Sequence, residues 1–144
     1  MSGLDLGIVG NGTVAALINS RGDYQWFCLP RFDGQPVFNQ LLGGGGCFSV
    51  WMEDLASRTQ SYERNTAILR TRLESRDGAV VEITDFAPRF ENRGRMFRPA
   101  ALVRRFKVLA GTPRLKITLT PETFAELGEL ASDLRPPLVF RGAK

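Results

Sequence analysis

Histidine is missing from this 144-residue chain. That absence excludes His-ligated metal sites, Ser/His/Asp and Cys/His nucleophilic systems and imidazole pH switches together. Cysteine is scarce, with only Cys28 and Cys47, so a disulfide framework is excluded and two free thiols are expected. No window reaches the roughly 18 apolar residues of a membrane-spanning helix, and Met1 to Asp5 lack the basic stretch and apolar run of a signal peptide. The expectation is a cytoplasmic protein with no membrane partner.

What is present supports a packed core. Apolar residues make up 43% of the chain and include ten Phe and two Trp, enough for one domain over 1–144. The net charge of +4 comes from arginine. Its excess is concentrated where Arg89, Arg93, Arg95, Arg98, Arg104, Arg105 and Lys107 face only Glu91. Such a patch attracts phosphate or an acidic partner domain. No nucleic-acid motif accompanies it, so no nucleic-acid partner is expected. Arg104, Arg105 and Lys107 lie in a strand-like run, where at least one must point opposite to its neighbour.

The densest apolar stretch runs from 25 to 38. Residues 24–28 read as a buried strand with Trp26 and Cys28 on one face and Phe27 on the other. Pro30 stops it, and residues 31–34 leave the sheet as a loop. Trp26, Arg31, Phe32 and Asp33 are the candidate residues for facing a partner domain or a glycan.

Before that stretch, Gly10, Gly12 and Ala15 after an apolar run match a dinucleotide-binding fingerprint, which requires a helix next. Too few residues separate these glycines from the turn at 20–23, so the segment reads as strand, turn, strand, turn, strand. No cofactor and no metal is expected. After the loop, Pro36 at a first helical position and Gly43 beyond predict a short helix over 36–42. Residues 47–52 alternate as a strand, and 61–74 reads as one long strand with a wet face. Asp77-Gly78 is the strongest hairpin signal, pairing 66–75 with 79–86. Residues 100–110 and 114–120 around Gly111-Thr112-Pro113 repeat that design. Phe124, Leu127, Leu130, Ala131 and Leu134 recur at helical spacing and predict a C-terminal amphipathic helix over 121–134, with Glu122, Glu126, Glu129 and Asp133 on its other face. Surface acids at helical spacing are commoner than a catalytic pair, and no catalytic residue is expected in this chain.

Several runs carry a family resemblance. Leu6-Gly7-Ile8-Val9-Gly10-Asn11-Gly12-Thr13, Gly22-Asp23-Tyr24-Gln25-Trp26-Phe27-Cys28-Leu29-Pro30-Arg31-Phe32-Asp33, Asn65-Thr66-Ala67-Ile68-Leu69-Arg70, Thr84-Asp85-Phe86-Ala87-Pro88 and Leu102-Val103-Arg104-Arg105 occur in this order. Together they resemble the N-terminal domain of bacterial trehalase-like and glucoamylase-like proteins of glycoside hydrolase family 15, over roughly 4–121. The resemblance implies a mainly β fold, an antiparallel β-sandwich, with the two helices above added to it. It also implies that catalysis, the inverting hydrolysis of an α-glucoside, belongs to a separate (α/α)6 barrel that this chain does not contain. Where many relatives have Gly-Asp-Cys, this chain has Gly10-Asn11-Gly12.

Two functions follow as expectations. One is a non-catalytic domain that scaffolds the barrel, inactive alone. The other is a stand-alone carbohydrate-binding or protein-interaction module built on the aromatic stretch. An uncovered apolar face and strand edge would favour a homodimer, with Arg104 and Arg105 meeting the acids of 121–134.

Overall fold

A computed structural model describes residues 5–29, 31 and 33–120. The predicted helix over 121–134 lies outside the described residues. Within them every regular element is a strand and every pairing is antiparallel. The first sheet takes β1 (Leu6–Gly10), β2 (Ala15–Asn19), β3 (Tyr24–Leu29), β4 (Gln35–Asn39), β5 (Cys47–Met52) and, far along the chain, β12 (Leu115–Thr120). The second has the order β11-β8-β7-β6, from β6 (Leu55–Tyr62), β7 (Leu69–Ser75), β8 (Val80–Phe86) and β11 (Val103–Ala110). A small hairpin, β9 (Phe90–Asn92) with β10 (Arg95–Phe97), stands apart.

The two larger sheets form a sandwich because each has an apolar face that only the other can cover. Cross-strand register shows how this follows from alternation. Val9, Ala16, Phe27 and Phe38 are successive partners across β1 to β4, and all are buried. The neighbouring row, on the other face, consists of exposed Ile8 and half-buried Leu17, Trp26 and Asn39. In the second sheet Leu69, Thr71 and Leu73 pair with Asp85, Ile83 and Val81, and all six are at most 1% exposed. Tyr24 and Phe27, three positions apart, both point inward because the β2–β3 register shifts between Leu17 and Ile18, leaving Gln25 as the extra residue.

The structure corrects four expectations. Residues 36–42 are not a helix: Gln35–Asn39 is extended on β3, which lets Phe38 stack 5.5 Å from Tyr24. Pro36 is tolerated there because β4 pairs with β3 alone. The supposed single strand over 61–74 is broken by a reversal in which Asn65 takes φ 58° and Thr66 Oγ1 donates to the Glu63 carbonyl at 2.8 Å. Residues 103–110 and 115–120 do not pair with each other. β11 pairs with β8 and β12 with β5, so the link between them crosses from one sheet to the other. Finally, Trp26 is only half-buried, on the outer row, rather than in the core.

Hairpin β7–β8 forms around Asp77-Gly78 as predicted, and both cysteines are free. The dinucleotide-like glycines sit in a β-hairpin turn between β1 and β2.

Candidate functional site

The loop after β3 is a surface turn. Arg31 Nε lies 3.3 Å from an Asp33 oxygen, with side chains 70% and 55% exposed, and the Gly34 N–H donates to the Arg31 carbonyl at 2.9 Å. Such an exposed pair contributes at most about 1 kcal/mol. Phe32 lies outside the described residues. Trp26 shows its outward edge from the β3 strand itself, so the structure places Trp26, Arg31 and Asp33 on the surface without gathering them around a cavity. Burial, and secondarily the Asp33 carboxylate, pushes the Cys28 thiol up.

A larger concavity, about 330 Å³, lies between the β5–β6 and β7–β8 turns and the link before β12, lined by Glu53, Asp54, Ser75, Asp77, Thr112 and Arg114 among others. Ser75 Oγ donates to Asp77, and this bond, with the Ala79 N–H, lowers the Asp77 carboxyl. No group of three or more potential ligands among the described residues has metal-binding geometry.

Two constellations that sequence reasoning missed are better built. The first is inside. Arg104 pairs across strands with Asp85, Nε to Oδ1 at 2.7 Å and Nη2 to Oδ2 at 3.1 Å, with side chains 4% and 0% exposed. Its Nη2 also donates to the Gly22 carbonyl, and Tyr24 donates to Asp85 Oδ1 at 3.2 Å. The guanidinium carbon lies 4.3 Å from the Tyr24 ring centroid and 4.7 Å from that of Phe48. Burial opposes the charge on Arg104, but Tyr24 and Asp85 more than offset it, while burial pushes the Tyr24 phenol up. This is an inter-sheet tie, since Asp85 and Arg104 come from one sheet and Tyr24, Phe48 and Gly22 from the other half of the sandwich. Arg104 is thus committed to Asp85 and the Gly22 carbonyl, whereas its neighbour Arg105 is exposed. The opposite facing of adjacent basic residues was the available signal.

The second constellation is on the surface. In hairpin β9–β10 every residue is exposed, with Phe90 and Phe97 packed edge to face at 4.9 Å. Its two feet are held by one side chain. Buried Asn11 donates from Nδ2 to the carbonyls of Pro88 and Pro99, 2.8 Å each, while its Oδ1 accepts the Thr13 and Val14 N–H groups at 2.9 and 3.1 Å. Thr13 Oγ1 adds a bond to the Arg98 carbonyl at 3.0 Å. The two bonds to carbonyls need the amide N–H groups, since an ionised aspartate here would have no donor for them. The Gly10-Asn11-Gly12 turn is thus the base of the hairpin.

Residues 5–134 match the family described as trehalase-like, N-terminal. The chain belongs to that family. Among curated relatives, a trehalase of Thermoplasma volcanium is 32% identical over 86 residues, 57% of this chain and 14% of the relative. Trehalase 1 of Sulfolobus acidocaldarius is 39% identical over 85 residues, 58% of this chain and 15% of the relative. Trehalase 2 of that organism is 33% identical over 87 residues, 59% and 14% respectively. The match thus spans about one-seventh of each relative's length. All three are archaeal, whereas the resemblance implied a bacterial source. No solved structure matches the chain.

Proposed function

We propose that this trehalase-like N-terminal domain is the non-catalytic part of a family 15 α-glucoside hydrolase and scaffolds a catalytic (α/α)6 barrel. The observation that carries this reading is the family match over 5–134 together with relatives, named trehalases, in which the matched part is a small fraction of the chain. The fold agrees in kind. Its polar investment is internal, in the Arg104–Asp85 tie and the Asn11 clamp, which makes a rigid body rather than a pocket. Inverting hydrolysis needs an acid and a base across a substrate gap of roughly 6.5 to 9.5 Å, which the proposal assigns to the barrel.

The test has two arms. Alone, the chain is expected to turn over none of trehalose, maltose, isomaltose or soluble starch. Carried as residues 5–134 in place of the corresponding domain of Trehalase 1, it is expected to support trehalose hydrolysis. Turnover by the isolated chain, or a folded but inactive fusion beside an active parent, overturns the reading.

A second reading, the carbohydrate-binding module, draws on outward aromatics on the first sheet, Trp51 at 58% exposure and half-buried Trp26. Calorimetric titration with trehalose and maltooligosaccharides, repeated on Trp51→Ala, separates the two.

A further inference from the structure

Exposed apolar side chains need an explanation when they are clustered and held still. The β9–β10 hairpin presents Phe90, Met96 and Phe97, each about half exposed (48%, 52% and 48%), within a segment whose charges are Arg89, Arg93, Arg95 and Arg98 against Glu91. A two-stranded ribbon is marginal in water by itself. Here its feet are fixed by the Asn11 and Thr13 bonds to the carbonyls of Pro88, Pro99 and Arg98. A clamp 2% exposed, holding a ribbon that buries nothing of its own, lowers the ordering cost of an arm that has to meet a surface.

We infer that the β9–β10 hairpin is the docking arm by which this domain engages the rest of a trehalase-length chain. Its apolar residues enter an apolar groove there, and its arginines meet carboxylates on the rim. This inference rests on the function proposed above and names the surface it uses. The relatives supply the occupant's size, since the matched part is 14 to 15% of their length, so most of such a chain lies outside this domain. Charge decides between occupants. A second copy would bring a like-charged arm against this one, which repels. Aromatics flanked by arginine can also stack on single-stranded nucleic acid, but no nucleic-acid motif accompanies them in the sequence, and that occupant is an overturning outcome of the experiment below.

Methionine oxidation reads the arm directly, because the chain carries its own control. Met96 is half exposed and Met52 is 2% exposed. In dilute peroxide the isolated chain should oxidise at Met96 well before Met52, as thioether access dictates. Fusions carrying residues 5–134, the whole family domain and with it the arm, in place of the corresponding domain are made in all three relatives. In a folded fusion Met96 oxidation is expected to slow about tenfold or more relative to the isolated chain while Met52 is unchanged. Phe90→Glu with Phe97→Glu should restore the fast rate. An active fusion in which Met96 stays fast overturns the inference and leaves the scaffold reading standing. A folded fusion with protected Met96 but no trehalose turnover overturns the scaffold reading and supports the contact. Failure to fold in all three backgrounds overturns both. Protection of Met96 in the isolated chain that grows with its concentration assigns the arm to a second copy, and protection by a mixed-sequence single-stranded oligonucleotide assigns it to nucleic acid. Either result overturns the inference.

Discussion

Hairpins β7–β8 and β9–β10 are neighbours in the chain, and each turns at a residue followed by glycine, Asp77-Gly78 and Arg93-Gly94. Their fates are opposite. β7 alternates buried and exposed along its length and, with β8, supplies Leu69, Leu73, Val81 and Ile83 to the core. β9 and β10 bury no residue. What separates them is the environment on each side of the ribbon. β7–β8 lies between β6 and β11 in a sheet, under a second sheet that covers its apolar face. β9–β10 has neither neighbour nor cover among the described residues. A turn signal therefore predicts that two strands meet, not that they matter to stability.

The largest effects should fall on the covered hairpin. Asp85→Ala leaves Arg104 charged and buried without its carboxylate, and breaking a buried pair from one side costs about 3 to 5 kcal/mol. Ile83→Ala, a core truncation, costs about 2 to 5 kcal/mol. Phe97→Ala should change global stability by about 1 kcal/mol or less, the scale of one exposed aromatic pair. Urea unfolding of the three variants measures this. A Phe97→Ala loss comparable to that of Ile83→Ala would place the arm inside the cooperative core and end the comparison.

The same contrast shows what the sequence could and could not reveal. The course of strand, turn, strand, turn, strand before residue 29 was legible, because short apolar runs alternate there with turn residues. So was the β7–β8 turn. Pairings between distant strands were not: β12 looks like the return of β11, and nothing local says that it joins β5 instead. The helix at 36–42 failed because cap-like Pro36 and Gly43 are local signals, and the demand of the core for Phe38 overrode them. Among the candidate residues, Arg31 and Asp33 lie on an exposed turn, and Trp26, read as part of a buried strand, is half-buried because its neighbour Phe27 takes the inward position. Arg104 read as part of a basic surface because a buried cation is recognisable only with its partner 19 positions away. Asn11 was unremarkable in sequence, since the carbonyls it holds lie 77 and 88 positions distant.

A finer test sharpens the comparison at the turns themselves. Gly78 has φ 89° and Gly94 has φ 76°, and at both an added Cβ would meet nothing within 4 Å. Alanine therefore meets only the backbone penalty of the left-handed region, about 1 to 2 kcal/mol at either site. Gly78→Ala should lower the global unfolding free energy by about that amount. Gly94→Ala should leave it within about 0.5 kcal/mol and appear instead as faster amide exchange confined to 90–97, because a ribbon outside the cooperative unit opens locally. Equal shifts of the global transition would contradict this.

The smallest effect concerns pH, and only the covered turn should show it. Asp77 accepts the Ser75 hydroxyl and, more weakly, the Ala79 N–H, and these bonds hold its carboxyl below the usual value of 3.8. A carboxyl depressed in the folded state binds its proton less readily there than in the unfolded chain. Its contribution is therefore complete above the unfolded value and is lost as pH falls through the depressed folded one. The group is exposed, so the effect is modest and screened by salt. The 93–94 turn of the arm has arginine where the other has aspartate and offers no such term. We expect wild type to exceed Asp77→Asn in urea midpoint at pH 7 at low ionic strength, with the gap closing as pH is taken from about 4 downward. A gap that stays constant over that range would mean that the Ser75–Asp77 bond stabilises the turn equally well with a neutral partner. The β7–β8 turn would then owe its order to Gly78 and the sheet around it.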